Sequence, residues 1–381
     1  MNSAAIQQKK IIAFVFSGLY VGGAEKFGIA LANRFAEEGI PTFFILFEKI
    51  DSPYYRLIRP EITQIHIKRK SKYDLVFHKQ FGRILEQNRI TEVLFFCLKP
   101  LLFTRLLGSK PATGTNCYIT LHSTIPVSYK EYLRTRILLG FARKSDKTVF
   151  ICRNQRDYLE RRYGYKPRNH AVIYNGVDTG YYNPKTFEST ENKRELMRIP
   201  NDHKIILLVA TLRPEKGHPD AIRALKLLHS QYPEHRHTHL VCTGGGPTTY
   251  MESLIRESEN LGIRKYLHLE GNQPDVRPYF AIANLFTLAS VSVETFSIAA
   301  LEAMSFGLPL SLTRIGGAAE MIFEGLNGNL SEPGNPASIA ACWNELLSKD
   351  LSREKIREKM IEHFSLDKTF QAYRHYLGFP A

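Results

Sequence analysis

Two carboxylates and a short basic loop carry the chemistry most legible in this sequence. Glu294 and Glu302 stand eight residues apart in VETFSIAALEAMSFGLP (293–309). Residues 298–306 read as a helix stopped by Gly307-Leu308-Pro309. At ~1.5 Å per residue, the two carboxylates would lie roughly 12 Å apart along such an axis. That is too far to share one bond as a glycosidase pair does. It suits contacts to opposite ends of one elongated ligand. Between them, the backbone N–H groups of Phe296, Ser297 and Ile298 open the helix and offer a seat for a diphosphate. The same spacing also fits a polar-capped amphipathic helix, with Glu294 favouring the helix dipole.

Other groups point toward an anion. Arg213 and Lys216 are three apart in LRPEKGH (212–218), so one turn can aim both at a single phosphate. Solvated charges at a helix start would look the same. CTGGGP (242–247) follows an apolar run, but Thr249 stands where a dinucleotide fingerprint needs glycine. Gly244 and Gly246 then shape a turn that lets a nucleotide approach, or a tight turn and nothing more. Gly22-Gly23 lies between a strand and a helix, where N–H groups can face a phosphate or simply turn the chain. His122 ends NCYITLH, and a lone histidine is as readily structural as functional. There is no DxD-type pair in the expected places and no His/Cys cluster, so no metal is expected. Neutralising a bound phosphate would then fall to Lys216, Arg213 and backbone donors.

Taken together, these motifs resemble family 4 GT-B glycosyltransferases. The signature is Glu294, seven intervening residues and Glu302 within ETFSIAALEAMSFGLPL. Gly22-Gly23-Ala24-Glu25, IYNGVD (173–178), LRPEKGH, CTGGGP and the GG-x-x-E of Gly316 to Glu320 stand in the family's order. The resemblance implies a metal-independent, retaining transferase with a UDP- or GDP-sugar as donor. It implies that Glu294 approaches the donor sugar, that Glu302 binds the ribose hydroxyls, and that Lys216 binds the diphosphate. The family's arginine falls at Thr211, which leaves Arg213 as its substitute. The loop at Gly271-Asn272 would read the base through backbone, and His122 would contact the reacting sugar. A front-face substitution, with the departing phosphate taking the acceptor's proton, is likewise implied. So are a glycan or lipid-linked acceptor and a place in bacterial surface polysaccharide or lipopolysaccharide synthesis.

Short apolar runs must position these groups. IIAFVFS, PTFFILF, TEVLFFCL, NCYITLH and KTVFIC read as strands of one parallel sheet. HKIILLVAT, THLVCTG, KYLHLEG and NLFTLAS read as strands of a second. Helical stretches alternate with them, beginning with residues 24–38. The fold expected is α/β: two doubly wound, Rossmann-like domains of the GT-B type, facing across a cleft at the carboxyl ends of their strands. The domains are expected at residues 1–178 and 179–365, with an amphipathic helix at about 366–381 packing back on the first.

The formal net charge of +14 is unevenly spread. Residues 1–180 hold 29 Lys and Arg against 14 Asp and Glu, or 29 − 14 = +15. The remainder holds 22 against 23, or −1. An anionic partner is expected at the first half: a phosphate-bearing acceptor, an acidic membrane surface or nucleic acid. Residues 99–110 (KPLLFTRLLGSK) and 130–144 (KEYLRTRILLGFARK) mix apolar with basic residues, as helices at an anionic membrane do. Ordinary amphipathic helices packed on a sheet read the same way. Five cysteines with wide spacing (Cys97, Cys117, Cys152, Cys242, Cys342) and no CxxC fit a reducing, cytoplasmic setting. The apolar run after Lys9-Lys10 is interrupted by Gly18, Gly22 and Gly23, so it reads as a first strand rather than a signal peptide. No run reaches the ~18–20 apolar residues of a membrane span, so association with the inner face of the membrane would be peripheral.

Two other classes fit parts of the sequence. A hydrolase or epimerase acting on a nucleotide sugar would need no acceptor. A nucleic-acid-binding protein would use the basic first half, although no helix-turn-helix, zinc-finger or RNA-recognition signature is present. No nucleic-acid partner is expected.

Overall fold

Runs such as IAFVF (β1, Ile12–Phe16) and IILLV (β8, Ile205–Val209) leave no polar face. Both sides of such a strand must be covered, and a parallel sheet between helical layers meets that need. The computed structural model describes residues 10–48, 51–67, 77–96, 98, 115–122, 129–142, 147–188 and 192–380. Residues 99–110, Cys97, Arg143 and Lys144, singled out above, lie outside the described residues.

The chain forms two compact units. One holds the residues up to Asn175 together with those from Thr369 onward, and the other runs from Gly176 to Lys368. The first is built on β1, β2 (Thr42–Leu46), β3 (Thr63–His66), β4 (Glu92–Phe95), β5 (Asn116–Leu121), β6 (Lys147–Phe150) and β7 (His170–Val172). They pair in parallel in the order β3-β2-β1-β4-β5-β6-β7. The second unit is built on β8, β9 (His239–Thr243), β10 (Leu267–Leu269), β11 (Leu285–Leu288), β12 (Leu310–Thr313) and β13 (Gly328–Ser331). Its order is β10-β9-β8-β11-β12-β13, again parallel. Both sheets are thus doubly wound. The apolar runs named from sequence became β1, β2, β4, β5, β6, β8, β9, β10 and β11; four further short strands were not foreseen.

The helix Leu366–Tyr376 explains why the last residues join the first unit. Phe370, Tyr373 and Leu377 are fully buried. The Phe370 ring stands edge-on to Phe35 with centroids 4.9 Å apart, and the Tyr376 hydroxyl donates to the Thr148 carbonyl at 3.3 Å. In the second unit, buried Trp343 donates from Nε1 to Thr287 Oγ1 at 3.0 Å, and Thr287 donates to the Ser311 carbonyl at 3.1 Å. These bonds satisfy polar groups that the sheet would otherwise bury alone.

Histidines gather at the amino-terminal edge of the second sheet. His203 Nδ1 lies 2.9 Å from His239 Nε2, and His239 Nδ1 lies 2.9 Å from His268 Nε2. Burial, then the neighbouring His268, His203, His229 and Arg194, pushes His239 down to about 3. Burial and Arg264 push His268 down to about 4. Below the ordinary histidine value of ~6.5, the unfolded chain therefore binds more protons than the folded one. Stability is complete above pH ~6.5 and declines as pH falls toward the folded values. We expect the urea midpoint to fall already between pH ~6.5 and ~5, above the ordinary carboxylate range. His239→Gln should flatten that decline, and a flat midpoint in the parent would show that these rings keep their ordinary proton affinity.

Candidate functional site

In the second sheet the chain leaves β8 in one direction and returns to β11 on its other side. A crevice opens at the carboxyl ends of the two strands where the order reverses. The loop after β8 carries Arg213 and Lys216; the loop after β11 carries Glu294. Gly217 locks them together. It has φ +69°, and a Cβ there would stand 1.8 Å from the Ala289 carbonyl oxygen. The Val291 N–H donates to the Glu215 carbonyl at 3.0 Å across the same junction. Lys216 Nζ then donates to Glu294 Oε2 at 2.9 Å and to the Val293 carbonyl at 3.3 Å. The two side chains are 21% and 18% exposed. An ammonium has three N–H groups, so one remains for a ligand oxygen. The loop after β12 clasps the other side. Gly316, at φ +57°, passes so close that a Cβ would meet the Glu294 carbonyl at 2.1 Å, and the Gly317 N–H donates to the Thr295 carbonyl at 2.7 Å.

The helix that follows runs Ile298–Ser305. Glu294 therefore sits in the preceding loop, and helical rise does not set its distance from Glu302. Ser297 caps the helix: its hydroxyl accepts from the Ala300 N–H at 3.2 Å. Ile298 is the first helical residue, where N–H groups lack intrahelical partners. The Phe296 side chain is buried against Phe364, with ring centroids 5.6 Å apart, so only its backbone is available to a ligand. Glu302 is buried and hydrogen-bonded to the Tyr182 hydroxyl. Burial first, and then this carboxylate, holds the Tyr182 phenol well above its ordinary range. Arg357 fixes Tyr182 there. Its guanidinium donates to the Tyr182 carbonyl at 2.8 Å, to the Thr179 carbonyl at 2.7 Å and to the Ser305 carbonyl. Sequence reading did not single out Tyr182 or Arg357, because no motif contains them.

Two more loops meet the one after β8 beside this crevice. Gly244 has φ +142°, and a Cβ there would stand 2.0 Å from the Ala210 carbonyl; at Gly246 it would meet Leu212 at 2.4 Å. The Gly244 N–H donates to the Gly271 carbonyl at 2.7 Å, and the Leu212 N–H to the Gly245 carbonyl at 2.8 Å. These glycines are thus required by backbone packing within the protein. Asn272 is exposed beside them. Arg213 is not brought to the Lys216–Glu294 pair: its side chain is 66% exposed and lies 3.9 Å from Glu215.

In the first unit, Gly22 is extended and precedes the helix Gly23–Glu37 at the end of β1. A Cβ at Gly22 would stand 2.8 Å from Glu25 Oε2, and burial pushes the Glu25 carboxyl up. Gly23 is exposed at the helix start. His122 follows β5 directly. Its ring stacks on Phe96 with centroids 5.2 Å apart and planes 9° apart, and also touches Phe27. Burial pushes it down to about 3, so the imidazole is neutral at physiological pH. Among the described residues no group of three or more His, Cys, Asp or Glu is placed to hold a metal ion.

The Gly217 contact can be measured. A non-glycine residue in the left-handed region costs ~1–2 kcal/mol, and Gly217→Ala must also push back the Ala289 carbonyl. Gly262 has nearly the same φ, +68°, with nothing within 4 Å of a Cβ. We expect Gly262→Ala to lose about 1 kcal/mol and Gly217→Ala at least twice that in urea unfolding. Equal losses would show that the two loops tolerate separation.

Residues 21–181 match the family model described as Glycosyltransferase Family 4, and residues 189–363 match Glycosyl transferases group 1. A D-inositol 3-phosphate glycosyltransferase of Corynebacterium glutamicum (strain R) is 27% identical over 54% of this chain and 50% of its own length. The chain thus spans about half the length of that relative. An N-acetyl-alpha-D-glucosaminyl L-malate synthase of Bacillus anthracis is 25% identical over 93% of both chains. Among solved structures, Anabaena HepE in complex with UDP and glucose superimposes with a TM-score of 0.80 at 18% identity, covering 97% of this chain and 100% of that one. The two family models lie end to end in the order of the two sheets, and the chain belongs to glycosyltransferase family 4, with the GT-B fold.

Proposed function

We propose that this protein is a retaining glycosyltransferase that moves a sugar from a nucleotide-diphosphate sugar to an anionic acceptor without a metal. The observation that carries the reading is the Lys216–Glu294 pair, held at 2.9 Å where the strand order of the second sheet reverses. A lysine with one N–H to spare can receive the charge that develops on a leaving diphosphate. Glu294, anchored by the same contact, can meet a hydroxyl of the sugar. The first-turn N–H groups beside Ser297 and Ile298 add donors for the phosphates. Glu302 faces the ribose in this reading, and ligand would share it with Tyr182. Gly22, Gly23 and His122 serve the sugar side, while Gly244, Gly246 and Asn272 shape the seat of the base. Arg213 can join the phosphates only by swinging from its exposed position.

The net charge of +15 over residues 1–180 supports an anionic acceptor. So do the relatives' names, since inositol 3-phosphate and malate are both anions. A second reading puts that acceptor at a membrane as a lipid-linked glycan, as in surface polysaccharide synthesis. On the helix Tyr129–Ala142, Tyr129, Leu133 and Ile137 recur every fourth residue and are 74%, 41% and 61% exposed, beside exposed Lys130, Arg134 and Arg136. Among the described residues no helix is long and apolar enough to cross a membrane.

Two sets of measurements test these readings. Lys216→Ala should lower turnover roughly 10²–10³-fold, the cost of losing one preorganised donor. Glu302→Ala should weaken UDP or GDP binding by roughly 1.5–3 kcal/mol, and transfer should survive EDTA. Abolition by EDTA with rescue by Mn²⁺, or unaltered nucleotide affinity in a folded Glu302→Ala, would overturn the respective assignments. For the membrane, neutralising Lys130, Arg134, Arg136, Arg143 and Lys144 together should abolish salt-sensitive sedimentation with anionic vesicles. Equal sedimentation of parent and variant would leave the basic face to a soluble anion.

A further inference from the structure

Three side chains from two distant parts of the first unit form a chain of hydrogen bonds. Tyr373, on the helix Leu366–Tyr376, lies 3.2 Å by its hydroxyl from Thr120 Oγ1. Thr120, on β5, lies 3.2 Å by the same oxygen from His122 Nε2. Tyr373 and Thr120 are fully buried. Among the described residues, no other hydrogen-bond partner is recorded for either hydroxyl or for the imidazole.

Three protons must be arranged along this chain: one on each hydroxyl and one on the neutral ring. If His122 Nε2–H donated to Thr120, one hydroxyl proton would be left without an acceptor. Either Thr120 would donate back to Tyr373, whose own proton would be stranded, or Tyr373 would donate to Thr120, whose proton would be stranded. A buried donor without a partner is disfavoured. Only one arrangement uses every hydroxyl proton: Tyr373 donates to Thr120, and Thr120 donates to a bare His122 Nε2. The ring proton then sits on Nδ1.

We propose that Tyr373, through Thr120, is a positioning residue that fixes His122 as the Nδ1–H tautomer, so that its open ring nitrogen is a hydrogen-bond donor to an oxygen of the bound sugar and not a base. The flat stack on Phe96 fixes the ring plane, and the relay fixes which nitrogen carries the proton. Burial keeps the ring from taking a second proton. The consequence is chemical. His122 in this state can orient a hydroxyl oxygen but cannot deprotonate the acceptor through Nδ1. It also gives the carboxyl-terminal helix a role in the reaction besides packing. The inference about the sugar rests on the transferase reading above; the tautomer does not.

The test uses the full-length protein with ¹⁵N-labelled histidine, His122→Asn identifying the resonances. A pyrrole-type Nδ1 and a pyridine-type Nε2 are expected for His122 at pH 7. Tyr373→Phe and Thr120→Val should each yield a mixture of tautomers, whereas Thr120→Ser, which keeps the hydroxyl, should preserve the parent spectrum. Thermal unfolding checks that each variant is folded. In transfer assays Tyr373→Phe should lower kcat roughly tenfold, the scale of one hydrogen bond, with donor KM within about twofold of the parent. A protonated Nε2 in the parent, or a folded Tyr373→Phe with an unchanged spectrum, would overturn the relay. An unchanged rate in His122→Ala, with the expected spectra in place, would instead overturn the sugar contact and leave the relay standing.

Discussion

The carbonyl oxygen of Ala289 occupies the space a side chain at residue 217 would need, and much of the second unit's site depends on that contact. With glycine there, the loops after β8 and β11 touch backbone to backbone. The Lys216 side chain then reaches Glu294 from the adjoining loop. A similar close approach recurs at Gly316 against Glu294 and at Gly244 against Ala210. The loops at the carboxyl ends of these strands are therefore held by each other as well as by their strands. This is how a parallel sheet can make a rigid site from irregular segments.

Rigidity matters where a site presents a charged group. A lysine that must find its ligand from solution loses side-chain freedom on binding. Lys216 has already lost it, because Glu294 and the Val293 carbonyl hold two of its three N–H groups. The ion pair also keeps a mostly buried ammonium from standing alone, which would be costly in a low-dielectric crevice. Tyr182 plays the matching part for Glu302, and Arg357 holds Tyr182 by grasping the backbone at Thr179 and Tyr182. Each of the two glutamates thus has a partner within the protein.

The first unit follows another rule. His122 is kept neutral by burial and flat by Phe96. Its Nε2 lies inward against the Thr120 hydroxyl on β5, which in turn meets Tyr373 on the helix Leu366–Tyr376. The helix Leu366–Tyr376 is anchored there by Phe370 against Phe35 and by Tyr376 at the Thr148 carbonyl. Neutral dipoles in a dry setting can hold a proton in place without adding net charge.

The sequence by itself determined the local pieces. Continuous apolar runs such as IAFVF and IILLV must be strands covered on both faces, and Gly244 and Gly246 mark a turn. Glu294, Glu302 and Lys216 were legible because the family signature sets them at fixed spacing. Four short strands were not: TQIH, HAV, LSLT and GNLS span only three or four residues, and polar residues or glycine interrupt them, so their apolar pattern is too brief to set them apart from loops. Spacing alone also misjudged two details. Arg213, three residues from Lys216, is extended backbone just before the turn Pro214–Lys216, and its side chain stays exposed beside Glu215, away from the Lys216–Glu294 pair. The roughly 12 Å separation applied helical rise across residues 294–302, although the helix begins only at Ile298. Only the tertiary structure set β8 beside β11, Arg357 on Tyr182 and Tyr373 over Thr120. The last of these joins residues 253 apart in the chain. Such pairs are chosen by which buried donors and acceptors the folded layers bring within reach, and local sequence holds no record of that.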